Sequence, residues 1–298
     1  MRWRGGRLSR NVIDARRARA GGIRMGGGGR RAAVGGGGGL LLIVVVVAGL
    51  FFGVDLTPLL TGGGSAGFDP VRTGGPTETV TQEDDEAARF ASTVLAFTED
   101  VWRDVYADQT GEPYRDPELV IFSGAVQSAC GGASAASGPF YCPADGRAYL
   151  DTQFFAELDR RFDAPGDFAA AYVIAHEVAH HIQNLQGILG EVNRLQARSG
   201  QVESNALQVR VELQADCLSG VWARHANDRQ QILEPGDFEE ALRAARAIGD
   251  DTLQRQAGRT VQPHTFTHGT SAQRERWFTI GFQSGRMADC DTFGAAQL

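Results

Sequence analysis

The sequence predicts a mainly helical domain with a small sheet, preceded by one transmembrane helix. Three observations carry this. Most long stretches beyond residue 81 set apolar residues at three- and four-residue spacing, the helical period. Two short runs, Leu119–Phe122 and Ala148–Leu150, are strand candidates. An uncharged apolar run, Val34 to Val54, separates a basic arm from everything else.

The chain has 298 residues, enough for one sizeable domain or two small ones. Its 42% hydrophobic and 22% charged content is ordinary for a globular protein. Every basic residue is Arg. Charge is segregated: residues 1–33 hold ten Arg against one acid, Asp14, a net +9, whereas the remainder holds nineteen Arg against thirty-five acids, a net −16. An acidic body argues against a nucleic-acid grip by the main domain. There is no internal repeat.

Residues 1–33 read as a basic cytoplasmic arm and 34–54 as a transmembrane anchor. Twenty-one residues at 1.5 Å rise are about enough to cross a bilayer core. The glycines at 35–39 weaken the start, leaving Leu40–Phe52 as the firm part. That shorter run also fits a cleaved signal peptide, but the long leading arm and the lack of a small-x-small site favour an uncleaved anchor. Arg before the span and acid after it put the arm in the cytoplasm and the domain outside the inner membrane. Gly49 and Gly53 form a GxxxG pair, suited to a homodimer through the span. Residues 55–80, rich in Gly, Thr, Ser and Pro, read as a flexible linker, and 81–298 as the domain.

Within the domain, Glu83 to Asp108 reads as a helix: acids crowd its first turn, and Phe90, Val94, Phe97, Val101, Trp102 and Val105 line one face. Phe154–Arg161 is a short helix. Pro165-Gly166-Asp167 precedes the most apolar stretch, Phe168 to Leu185. Residues 191–204 are polar and read as a mobile excursion. Helices follow over Glu203–His225, Asp237–Gln256 and Ala272–Arg286, the last capped at Thr270 or Ser271.

The chemistry concentrates at His176-Glu177-Val178-Ala179-His180. On a helix, positions i and i+4 share a face, so the two imidazoles project side by side, as one tetrahedral zinc requires. Glu177 is then within reach of a zinc-bound water as general base, the H-E-x-x-H arrangement of zinc hydrolases. Two His and a Glu inside so apolar a helix are costly to bury without a partner. A catalytic zinc takes a third protein ligand. The metzincin pattern needs a His six residues past the second, and that position is Gln186. Glu212, on the next long helix, is the better candidate. Asp216 lies one turn later on the same face and can accept a hydrogen bond from the free ring nitrogen of His176. His181 faces away from His180 and reads as a packing residue. His268, just before a helix start, is a candidate donor to an oxyanion, and Arg274 can do the same or clamp an acid.

Four cysteines allow three pairings. Outside the cytoplasm disulfides are expected. The short, turn-rich loop between Cys130 and Cys142 favours Cys130–Cys142 with Cys217–Cys290. Free thiols would go with a cytosolic protein, and a thiolate zinc site lacks C-x-x-C spacing.

These motifs together resemble the bacterial "putative neutral zinc metallopeptidase" family. The resemblance rests on Met1-Arg2-Trp3-Arg4-Gly5-Gly6, the Gly-rich apolar segment and Gly138-Pro139-Phe140-Tyr141-Cys142-Pro143. It rests equally on Ala175-His176-Glu177-Val178-Ala179-His180-His181, Glu212-Leu213-Gln214-Ala215-Asp216-Cys217 and Thr267-His268-Gly269-Thr270-Ser271. It implies an α+β, zincin-like fold with gluzincin-type ligands and the active site between the motif helix and the glutamate helix. Carried over by motif, His176, His180 and Glu212 hold one Zn2+ and Glu177 is the base.

The expected function is a membrane-anchored zinc metallopeptidase acting on a peptide or protein substrate. Its rivals are a catalytically silent, zinc-stabilised envelope scaffold and a zinc hydrolase of non-peptide amides.

Overall fold

A computed structural model describes residues 1–16, 80–134, 138–162 and 164–298. The apolar run 34–54 and residues 55–79 of the linker lie outside the described residues. No helix among the described residues is long and apolar enough to cross a membrane.

The architecture is mixed α and β. Strands β1 (Val12–Asp14), β2 (Glu118–Phe122), β5 (Phe140–Cys142) and β6 (Arg147–Asp151) form one sheet in the order β1-β2-β6-β5. β1 and β6 flank β2 in parallel, and β5 is antiparallel to β6. Central β2 is apolar on both faces, and Leu119, Val120, Ile121 and Phe122 are all buried, as expected of a strand covered on both sides. Strands β3 (Ala125–Ser128) and β4 (Gly131–Ser134) make a separate hairpin.

Eight α-helices lie among the described residues. Helix α1 (Gln82–Thr110) opens on a capping box in which the Thr81 hydroxyl accepts from the Asp84 N–H and the Asp84 carboxylate accepts from the Thr81 N–H. Its apolar face carries Val94, Leu95, Val101 and Trp102 into the core, as the spacing predicts. Helix α2 spans Phe154–Phe162, α3 Asp167–Leu185, α4 Ile188–Gln196 and α5 Gln201–Gln230. Helix α6 spans Asp237–Ala247, α7 Asp250–Gln256 and α8 Ser271–Ser284. α3, the motif helix, is buried around most of its circumference, the state expected of a helix apolar on every side. α5 packs along α3, and α8 packs on α5 so closely that a Cβ on Gly281 would sit 1.8 Å from the Cys217 carbonyl oxygen.

Both expected disulfides are present, Cys130–Cys142 across the hairpin loop and Cys217–Cys290 between α5 and the C-terminal 3-10 turn Met287–Cys290.

Three sequence expectations are revised. Residues 191–204 are mostly helical: α4 ends at Gln196 and α5 starts at Gln201. Their polarity reflects the exposed sides of two helices. The single helix expected over Asp237–Gln256 is two, because the chain turns at Gly249, where a Cβ would lie 2.4 Å from the Ser271 amide nitrogen. Third, residues 1–16 are not set apart from the 81–298 domain. β1 pairs with β2 in register Val12–Leu119, Ile13–Val120 and Asp14–Ile121. Trp3 is buried edge-on against Phe90, with ring centroids 5.2 Å apart. Arg7 bonds Glu99 at 2.8 Å and Asp100 at 2.7 Å, and Asn11 donates to Glu99 at 2.9 Å. The Met1 ammonium lies among the carboxylates of Asp167, Glu234 and Asp237. A three-residue strand within a run of arginines has no periodicity to read, which is why the sequence conceals it.

Candidate metal centre and catalytic cleft

α3 and α5 run side by side and present the motif residues to each other. His176 Nε2 lies 3.1 Å from Glu212 Oε2, and His180 Nε2 lies 3.7 Å from the same oxygen. The edge of a tetrahedron with zinc–ligand bonds near 2.0–2.1 Å is about 3.4 Å. The two separations bracket that value, so these donors fit one zinc. Among the described residues a second carboxylate-rich group, Asp167, Asp237 and Glu240, also has metal-like spacing. Asp167 and Asp237 of this group already hold the Met1 ammonium.

The imidazoles are aimed by partners on their other nitrogens. His176 Nδ1 lies 2.9 Å from Asp216 Oδ1, and a carboxylate can only accept, so Nδ1 carries a hydrogen and Nε2 is the nitrogen left to offer a lone pair to a metal. His180 Nδ1 lies 2.8 Å from Gln183 Oε1. The Gln183 amide nitrogen donates to the Val211 carbonyl at 2.8 Å and to Gln214 Oε1 at 3.0 Å, which fixes the amide orientation and so makes His180 Nδ1 a donor too. Both Nε2 atoms therefore face Glu212. The other Glu212 oxygen accepts from Gln208 at 2.8 Å.

Behind His176 lies a buried polar knot. Arg274 donates through Nε to Asp216 Oδ2 at 2.8 Å and through Nη2 to Oδ1 at 2.9 Å. The Tyr172 hydroxyl donates to the same Oδ1 and accepts from Arg274 Nη2 at 3.2 Å. Arg274 thus clamps an acid and holds the residue that orients His176.

The electrostatics favour positive charge between α3 and α5. Burial opposes a charged His176, but hydrogen bonds to Asp216 and Glu212 outweigh it and lift its pKa to about 9. Burial likewise opposes ionisation of Glu212, yet the facing His180 and His176 hold it well below the usual carboxylate range. Carboxylates that hold a proton here would equally hold a divalent cation. Burial pushes the Glu177 carboxyl up, against the opposing pull of His180 and His176, as suits a general base working near neutral pH.

These groups line one cleft. Glu177, His268 and Arg274 share its wall with apolar side chains that include Phe140, Val173, Leu189, Val192 and Val211. His268 precedes α8, and its loop is cradled by Asp250 at the start of α7. Asp250 Oδ2 accepts the N–H groups of Thr267 at 2.8 Å, His268 at 2.6 Å and Gly269 at 3.0 Å. Asp250 Oδ1 lies 3.4 Å from His268 Nδ1. Burial works against a charged His268, but Asp250 raises its pKa overall.

A model of the family described as "Putative neutral zinc metallopeptidase" matches residues 1–293. The chain belongs to that family. It is 51% identical to "Uncharacterized protein YpfJ" of Escherichia coli K12 over 294 residues, covering 99% of both chains. It is 47% identical to "Uncharacterized protein Rv2575" of Mycobacterium tuberculosis over 195 residues, 62% of this chain and 65% of the relative. No solved structure matches the chain. Membership implies zinc and peptide hydrolysis at the level of the family.

His176, Glu177, His180, Glu212, Asp216 and His268, all singled out from sequence, meet in this one place. His181 lies outside it, bonded to Tyr141 and to the Arg115 carbonyl. Sequence reasoning missed Tyr172, Gln183 and Asp250. Tyr172 and Gln183 stand four residues before His176 and three after His180, so helical spacing would have found them. Asp250 looked like one more charge inside the single helix expected over Asp237–Gln256.

Proposed function

We propose that the chain is a zinc-dependent peptidase whose metal is held by His176, His180 and Glu212, one ion per chain, and which meets the bilayer through residues 34–54. The observation that carries the reading is the convergence of both Nε2 atoms on one Glu212 oxygen, with Glu177 in the wall of the same cleft. Bound zinc would supply Lewis acidity toward a peptide carbonyl and toward water.

The chain's own residues do the rest. Glu177 accepts the proton of the attacking water and returns it to the leaving amine nitrogen. Burial raises its pKa, the direction that helps a base take up a proton. His268, biased toward its charged form by Asp250, donates to the oxygen on which negative charge develops. Asp216, held by Arg274 and Tyr172, keeps His176 in one tautomer. The apolar wall of Leu189, Val192 and Val211 suits a hydrophobic side chain beside the cleaved bond. Two disulfides favour an oxidising compartment for the body.

The test is cleavage profiling of a proteome-derived peptide library with Glu177→Gln as the control. Glu177-dependent cleavage supports the reading. Zinc-replete, folded protein with no such cleavage would refute it and favour a zinc-stabilised scaffold.

A further inference from the structure

We infer that residues 1–16 and the body formed by residues 80–298 lie on the same side of any membrane the chain meets. This stands apart from the catalytic reading.

The apolar run Val34–Val54 invites a single crossing with the two flanks on opposite sides. The packing of residues 1–16 does not permit it. β1 is a bonded strand of the body's own sheet, beside β2, and neighbouring strands lie only about 4.8 Å apart. Backbone bonds continue beyond the strand, from Ala15 N–H to the Ile121 carbonyl at 2.8 Å and from Leu119 N–H to the Asn11 carbonyl at 2.8 Å. Trp3 is buried against Phe90 of α1, and Arg7 and Asn11 serve the buried Glu99.

The facing ends of the two parts also meet. Arg16 donates to the Asp84 carbonyl at 2.7 Å and pairs with Asp85 at 3.1 Å, while Asp84 caps α1 through Thr81. The chain therefore departs at Arg16 and re-enters at Val80 within reach of one arginine side chain. A bilayer core is about 30 Å thick. For a single crossing, residues 17–33 would have to return through it. They carry five Arg and no acid, and backbone in hydrocarbon must satisfy its own polar groups.

The charge segregation now has a local use. Arg4 pairs with Glu86, Arg7 with Glu99 and Asp100, and Arg16 with Asp85. These arginines meet acids of the body, as a basic segment docked on an acidic partner would.

The test uses the full chain in intact cells with one added cysteine at a time. All four native cysteines are in disulfides, so an added cysteine is the one free thiol of the folded chain. Leu8 is 46% exposed and Val202 is 58% exposed, which makes Leu8→Cys and Val202→Cys accessible reporters for the two parts. Ile13→Cys and Leu195→Cys form a second pair that keeps the test standing if one variant fails to accumulate. Labelling by a membrane-impermeant maleimide is compared before and after permeabilisation. The expected result is the same response at both positions of a pair, either both labelled or both protected until permeabilised. Labelling at one position with protection at the other would overturn the inference.

Discussion

Arg274 should be among the most consequential residues in the molecule although it does not hold the metal. It is 1% exposed, and its guanidinium makes both bonds to Asp216, which is 0% exposed. Arg274→Met would leave Asp216 ionised and buried with only Tyr172 and His176 as donors. Breaking a buried ion pair by removing one partner costs about 3–5 kcal/mol. For a body of this size each kcal/mol lowers Tm by roughly 2–4 °C, so the drop should be roughly 6–20 °C. Calorimetry on the chelated protein measures it without the metal's contribution. The double variant Arg274→Met with Asp216→Asn removes both charges together. It should be more stable than the two single losses add up to, by about 1–3 kcal/mol, because the pair is coupled. Zinc affinity should fall about 10–100-fold in Asp216→Ala, since His176 loses the partner that fixes its tautomer. An Arg274→Met protein within about 1 kcal/mol of wild type, or strict additivity in the double variant, would refute this reasoning.

Asp250 makes a pH-dependent contribution. Burial opposes its ionisation, but His268 and the three N–H groups hold its folded pKa below the usual value. That stability is present above the unfolded pKa of about 3.9 and is lost as pH falls through the lower folded value. The Tm gap between wild type and Asp250→Asn should be widest near neutrality and close below about pH 4; a constant gap would contradict the assignment. Gly281→Ala drives a Cβ to 1.8 Å from the Cys217 carbonyl oxygen. It should cost at least about 1–3 kcal/mol in urea unfolding, whereas a neutral effect would mean that α5 and α8 separate freely. The Cys217–Cys290 bridge spans 73 residues and Cys130–Cys142 spans 12. Replacing each pair with Ala should cost about 4 and about 3 kcal/mol respectively on a chain-entropy basis, and the reverse order in chemical unfolding would count against it.

Much of the site was legible because helical spacing is a geometric rule. His176 and His180 had to share a face of α3, and Asp216 had to follow Glu212 by about one turn on α5. The choice of α5 as the source of a third ligand rested on class pattern, with Gln186 standing where a metzincin has its His. What escaped notice depended on contacts distant in sequence. Asp250 reaches back across 18 residues to His268, and no local pattern announces it. β1 escaped for a different reason. Its three residues stand among arginines whose charge dominated the reading, although Arg4, Arg7 and Arg16 find partners on α1. The break at Gly249 was hidden because an amphipathic pattern continues through it and only the approach of Ser271 shows why the helix must turn.

The central claim is that His176, His180 and Glu212 together hold one zinc ion. Metal content and affinity measured on folded wild type, His180→Ala and Glu212→Ala would test it most directly, with circular dichroism to establish that each variant is folded. The expected result is one zinc per wild-type chain and loss of stoichiometric zinc from both variants. Zinc retained at the wild-type level in either folded variant would contradict it.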